Sequence, residues 1–153
     1  MKTAPEKNII RELCGKALEA RHMAYAPYSG FLVGAALLAA GGDNGAEGNI
    51  YTGCNIENAA YGPSNCAERT AFFKAVSEGE AEFIAIAIAG GAKDAPELED
   101  CPPCGVCRQV MREFCRDDFR IYLVRNLEEC KEYTLSELLP ESFGPDMLKR
   151  SKT

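Results

Sequence analysis

A single histidine, His22, occurs in this 153-residue chain. A histidine-based catalytic triad is hard to build from one ring, and no local signature links His22 to the motifs described below. It reads as a solvated residue near the end of a helix. Positive charge is also sparse, with 17 Lys and Arg against 23 Asp and Glu and a formal net charge of −6. An electrostatic grip on nucleic acid needs clustered Lys and Arg to displace counterions, so this balance argues against it. A small neutral substrate fits better than a phosphate-rich one. No apolar run approaches the roughly 18 residues expected of a membrane span, and no membrane contact is expected. The opening stretch MKTAPEKNIIRELCGK alternates charged and apolar residues and lacks the apolar core of a secretory signal. Internal repeats, low-complexity tracts and linker-like segments are missing too. The expectation is one domain over residues 1–153 in a cytoplasmic setting.

What the chain does have is cysteine, eight in all. In a reducing compartment such thiols bind metal or pack rather than pair. Two patterns stand out, Cys66-Ala67-Glu68 and Pro103-Cys-Gly-Val-Cys107. Together they offer three thiolates for one metal, with a carboxylate two residues from the first. A structural zinc site closes with four protein ligands, whereas a catalytic one keeps a position open for water. Three thiolates and a nearby acid therefore point to metal-activated water, and so to an enzyme.

Periodicity places these motifs on an α/β framework. Apolar residues from Glu6 to Met23 follow a helical stripe, which Pro27 ends. Phe31 to Ala40 is a continuous apolar run, suited to a strand covered on both faces. The turn-rich segment Gly41 to Gly48 leads to an antiparallel strand at Ile50 to Cys54. Ser64 or Asn65 is a candidate cap for a helix from Cys66 to Ser77, closed near Gly79. Phe83 to Ala89 alternates Ile and Ala as a buried strand, Gly90 to Asp100 is a polar loop, and Gly105 to Cys115 is a helix. A strand at Arg120 to Val124 and a short helix around Ser136 to Leu139 complete the chain. The order predicts a three-layer α/β/α domain with a mixed central sheet.

On a helix, Cys104 and Cys107 stand at i and i+3, so one ion can reach both. Cys66 sits at a second helix start, where unpaired N–H groups favour thiolate. Taken alone, Cys-x-x-Cys is a weak signal that also suits a redox pair or packed thiols. Three thiolates bring the formal charge at a divalent ion to −1, and the adjacent Arg69 is a candidate to offset it by hydrogen bonding to a ligand sulfur; most helix arginines are merely solvated. Glu68 is left with the acid–base work by elimination. Cys101 keeps a rival open. Cys101, Cys104 and Cys107 match the opening of a bacterial iron–sulfur run, although Met111 stands where its fourth cysteine belongs. With Cys66 they could instead make a four-thiolate cluster or structural zinc. Cys14, Cys54, Cys115 and Cys130 show no ligand-like spacing and read as small packed residues.

Cys66-Ala-Glu-Arg-Thr70 with Pro103-Cys-Gly-Val-Cys-Arg-Gln109 resembles the signature of zinc-dependent nucleobase deaminases, in which the Glu lies outside the metal shell. The resemblance is closer to the small homotetrameric cytidine deaminases of pyrimidine salvage. It includes the blocks at 26–31, 33–37, 53–61, 72–79, 107–114 and 138–144, in order over most of the chain. It implies one zinc per subunit on Cys66, Cys104 and Cys107, with Glu68 as the proton shuttle. It places Asn55 and Glu57 on the ribose hydroxyls and Phe31 against the nucleoside. Ala67 and Glu68 would read the base edge. Ala59 and Tyr61 lie in a segment that completes a neighbouring subunit's pocket, and Phe143 reaches in from another subunit. The implied reaction is attack of activated water on C4 of cytidine or deoxycytidine, giving uridine or deoxyuridine and ammonia. A polynucleotide or another cytosine-bearing metabolite is the second enzymatic reading, and a non-enzymatic four-thiolate domain the third. The segments 41–48 and 90–100 look longer or more irregular than the family's usual connections.

Overall fold

The alternation of isoleucine and alanine after Phe83 decides how the central sheet is covered. In a computed structural model describing residues 4–41 and 46–148, the chain folds as α1 (Lys7–Arg21), β1 (Phe31–Gly41), β2 (Ala46–Cys54), α2 (Ala67–Ser77), β3 (Phe83–Ala92), α3 (Gly105–Phe114), β4 (Arg120–Val124), β5 (Cys130–Thr134) and α4 (Leu135–Leu138), followed by a 3-10 turn at Pro145–Met147. The sheet order is β2-β1-β3-β4-β5. All neighbours are antiparallel except β3 and β4, which are parallel.

Side chains of a strand alternate between faces, and here the two faces differ in bulk. Ile86 and Ile88 join Leu37, Ile121 and Leu123 under α2 and α3. Ala85, Ala87 and Ala89 join Ala36 under α1. The small face lets α1 lie close. At Gly34 it lies so close that an added Cβ would overlap the Ala17 carbonyl and the Arg21 backbone. Gly34→Ala should therefore push α1 off the sheet and cost about 1–3 kcal/mol or more, read as a lowered denaturant midpoint. On the other face Phe72 of α2 meets Phe83 at 5.1 Å and Phe114 of α3 at 6.2 Å between ring centroids. These rings hold α2, α3 and the sheet together. The expected α/β/α layering with a mixed sheet is what the chain adopts.

Strand direction positions the site. Since β1 is antiparallel to both β2 and β3, the last two run the same way. The helix that follows each of them therefore starts at the same edge of the sheet. The N-termini of α2 and α3 are brought together by topology alone.

Several boundaries differ from expectation. The α2 cap is Cys66, extended at φ −77° and ψ 156°, not Ser64 or Asn65. Those two are committed elsewhere: the backbone of Asn65 pairs with Ile56, and Ser64 Oγ accepts from the Asn58 amide. β3 continues through Gly90 and Gly91 to Ala92, so the polar loop begins later. The short helix begins at Leu135 behind a Thr134–Glu137 capping box. β5 was not foreseen; Cys-Lys-Glu-Tyr-Thr at an exposed sheet edge carries no clean apolar alternation. Of the Gly41 to Gly48 connection, residues 42–45 lie outside the described residues.

Candidate active site

Helix starts deliver the thiols. Cys66 is the cap of α2 and Cys104 the cap of α3, each extended and each without a side-chain hydrogen bond to its helix. Cys104 is therefore not on the helix, as its spacing from Cys107 suggested. It precedes the helix, and Cys107 is the third helical residue, the position toward which a cap side chain ordinarily points. The Sγ atoms of Cys66, Cys104 and Cys107 all lie within 4.8 Å of one another, and Cys66 and Cys104 are 3.7 Å apart. Tetrahedral zinc with Zn–S bonds near 2.3 Å requires sulfurs about 3.8 Å apart. The donor set fits that ion.

Charge is arranged to suit thiolates. Hydrogen bonding from Cys107, then from Arg69 and Cys104, outweighs burial and holds the Cys66 thiol down at about 5. Arg69 Nη2 donates to Cys66 Sγ at 3.4 Å. Burial works against the Arg69 charge, but its bonds to the Cys66 and Cys107 sulfurs outweigh that and raise its pKa. The Cys107 thiol is pushed up, chiefly by donating to the Cys66 sulfur. Binding a cation in their midst must release that proton.

Glu68, in the first turn of α2, is only 4% exposed. Burial, reinforced by the Cys66 sulfur, pushes its carboxyl up to about 7 despite a hydrogen bond from its own backbone. It is not among the clustered ligands. A carboxyl poised near neutrality beside a metal site is suited to taking and returning protons. It lines a cavity of about 390 Å³ with Phe31, Asn55, Glu57, Ala67, Cys66 and Cys104, among others. Among the described residues, no Lys or Arg lines this cavity.

A profile of the cytidine and deoxycytidylate deaminase zinc-binding region matches residues 7–123. The chain is 49% identical over 131 residues to a cytidine deaminase of Halalkalibacterium halodurans, covering 86% of this chain and 91% of that one. It is 45% identical over 139 residues to a cytidine deaminase of Sporosarcina psychrophila, covering 91% and 94% respectively. The chain belongs to the cytidine and deoxycytidylate deaminase zinc-binding family. Among solved structures, the cytidine deaminase from Burkholderia pseudomallei is similar at a TM-score of 0.73 and 40% identity, covering 86% of this chain and 97% of that one.

In this family member, Asn55 and Glu57 reach the cavity with side chains already engaged. Asn55 Oδ1 accepts from the Val33 amide and Nδ2 donates to the Phe31 carbonyl, both at 2.8 Å. Glu57 Oε1 accepts from the amides of Tyr28 and Ser29 at 2.9 and 3.1 Å, and Oε2 accepts from the Ser29 hydroxyl. These bonds lower the Glu57 pKa, the Ser29 hydroxyl most. Each side chain keeps spare capacity, one N–H on Asn55 and free lone pairs on both. Phe31 lies at the cavity mouth, 43% exposed.

Ala59, Tyr61 and Phe143 lie outside this cavity and are exposed. The backbone around Phe143 is held to α3: Gln109 Nε2 donates to the Phe143 carbonyl at 2.8 Å, and Arg112 Nε to Ser142 Oγ at 2.9 Å. Its ring is left 56% exposed. Cys101 lines the cavity but is not part of the sulfur cluster. Its thiol packs against Gly90, where a Cβ would stand 2.6 Å away, and burial pushes it up to about 12. The four-thiolate alternative has no geometric basis here.

Two supports escaped the sequence reading. Arg21 is buried and donates to the carbonyls of Leu32, Gly91 and Ala92 at 2.8–3.1 Å, joining the ends of β1 and β3. Its place on the apolar stripe of α1, four residues beyond Ala17, is the signal that could have found it. Arg108 ties the ligand-bearing loop to α4, donating to the carbonyls of Pro103 at 2.7 Å and Leu138 at 2.6 Å.

Proposed function

We propose that this chain is a zinc-dependent hydrolase that converts cytidine and 2′-deoxycytidine to uridine and 2′-deoxyuridine with release of ammonia, serving pyrimidine salvage. The observation that carries it is the buried Glu68 carboxyl beside three converging cysteine sulfurs, in a cavity of the size small ligands occupy. Among the described residues the cavity lining carries no cation, which favours an unphosphorylated nucleoside over a nucleotide, whose phosphate needs Arg, Lys or a helix N-terminus.

Cys66, Cys104 and Cys107 would hold one zinc per subunit. Bound there, zinc supplies a Lewis acid that lowers the pKa of a water from 15.7 toward about 7. Glu68 would take a proton from the attacking water as the water oxygen adds to C4, and pass it to N3. It would then carry the proton of the new C4 hydroxyl to the exocyclic nitrogen, and the C4–N bond would break to leave a C4 carbonyl and ammonia. The raised pKa of Glu68 matches a group that must both accept and donate near neutral pH. Ala67 sits beside it against the base, and Phe31 covers a nucleoside face. Asn55 and Glu57 take the ribose hydroxyls with their remaining acceptors and donor. Asn55→Ala and Glu57→Ala should each lower kcat/KM for cytidine by about 10-fold or more without loss of zinc; unchanged nucleoside kinetics in both would remove the ribose assignment. Arg69→Gln should loosen zinc about 10–100-fold, as loss of a group supporting a metal ligand does, measured by competition with a chelator.

The reading extends to a homotetramer with shared pockets in the cytoplasm. Exposed Tyr61 and Phe143, away from their own cavity, supply apolar surface for neighbouring subunits. Among the described residues no helix is long and apolar enough to cross a membrane. The deciding experiment follows the ultraviolet absorbance of cytidine with purified protein, before and after chelation and on zinc return. Conversion that depends on zinc supports the reading; none by folded, zinc-loaded protein overturns it.

A further inference from the structure

Two thiols that the proposed chemistry does not use lie on the opposite face of the sheet. Cys14 is buried on α1 in the cluster that contains Tyr122 and Val124. Cys130, which is exposed, stands directly opposite Val124 in the β4–β5 pairing. Residues opposite each other in an antiparallel pair share a face, and the neighbouring Tyr122–Glu132 pair does so, with Tyr122 Oη donating to Glu132 Oε1 at 2.8 Å. The Cys130 side chain therefore rises from the edge strand toward α1. The helix also meets the turn before β5: Arg11 Nη1 contacts Glu128 Oε1 at 2.6 Å, and a Cβ on Gly15 would touch Leu127 Cδ2 at 3.6 Å. Cys14 on α1 and Cys130 on β5 thus project from facing elements on the same side of the sheet. Neither belongs to the sulfur cluster of the metal site.

We propose that Cys14 and Cys130 are a dithiol modification site, separate from the metal centre, which low-molecular-weight disulfides oxidise to an intramolecular disulfide bond. The exposed Cys130 meets the reagent first. Its thiolate attacks one sulfur of the disulfide RSSR, forming a Cys130–S–S–R bond and releasing RS⁻. Cys14 then loses its proton to solvent and its sulfur attacks Cys130 Sγ, breaking the bond to R and releasing a second RS⁻. The two cysteines lose two electrons and two protons, and RSSR is reduced to two RSH. Burial, and then the charge of Cys130, push the Cys14 thiol up to about 12. The mixed disulfide at Cys130 is uncharged, so the second of these causes disappears when Cys14 has to react. The site is independent of the deaminase reading.

The test equilibrates zinc-loaded protein with oxidised glutathione, quenches with acid, alkylates the remaining thiols after denaturation and maps peptides by mass. The expected result is a peptide pair joined through Cys14 and Cys130, two fewer alkylated thiols, unchanged zinc content and full reversal by dithiothreitol. Cys130→Ser should abolish the link and leave Cys14 alkylatable. Cys14→Ala should stop at a stable glutathione adduct on Cys130. A wild-type protein that also stops at that adduct, or whose two thiols stay free when other cysteines have oxidised, overturns the proposal.

Discussion

Glu68→Gln should keep its zinc and lose turnover by about 10⁴-fold, the upper end of what a positioned acid–base group supplies. The amide has the same shape and still hydrogen-bonds, but it cannot accept a proton and give it back. Because the native carboxyl is almost fully buried and already raised to about 7, a neutral amide there imposes no new burial of charge. Thermal stability should therefore change little. Measured together, cytidine turnover, zinc content and melting temperature separate lost chemistry from lost fold. Turnover within about 10-fold of the parent would mean that another group moves the proton. No neighbour is well placed for that: His22 is exposed at the end of α1, and the Glu57 carboxylate is held by Ser29 and Tyr28.

Cys104→Ala should have the second large effect, on the metal itself. Removing one of three sulfurs should weaken zinc by more than the roughly 10–100-fold that loss of a supporting group causes, and activity should fall with it. The fold should survive, since Cys104 is exposed and makes no capping hydrogen bond to α3. Metal analysis after gel filtration, alongside circular dichroism, reads both. Cys101→Ala is the matched control, because Cys101 lines the cavity without joining the sulfur cluster. Its zinc content should match the parent; zinc lost from the Cys101 variant and retained by the Cys104 variant would reverse the ligand assignment.

Much of this was legible from residue order. The helix at 7–21 and the strand at 120–124 follow from apolar period, and the Ile–Ala alternation after Phe83 announced a strand covered on both sides. What local pattern missed was governed by competition for hydrogen bonds or by weak patterning. Ser64 and Asn65 are good capping residues, yet both are used by the 56–58 segment, which leaves Cys66 to open α2. β5 pairs through its backbone at a solvent-facing edge, where charged side chains are tolerated and no apolar signal is required. Cys130 was expected to pack like Cys14 and Cys115, but it is exposed on that strand.

By itself, the sequence determined the chemistry on offer: three sulfurs and one carboxylate with almost no imidazole, in an acidic chain. It also determined that Cys104 and Cys107 could share an ion, because a helix start and its third residue are neighbours in any fold. Only the tertiary structure decided that Cys66 joins them, since that depends on β2 and β3 running the same way on either side of β1, where Gly53 and Ile88, 35 residues apart in sequence, both pair with Ala35. It decided that Cys101, three residues from Cys104, does not join the cluster. And it decided that Glu68 titrates near neutrality, because a carboxyl's pKa answers to burial and neighbouring charge, which spacing along the chain does not specify.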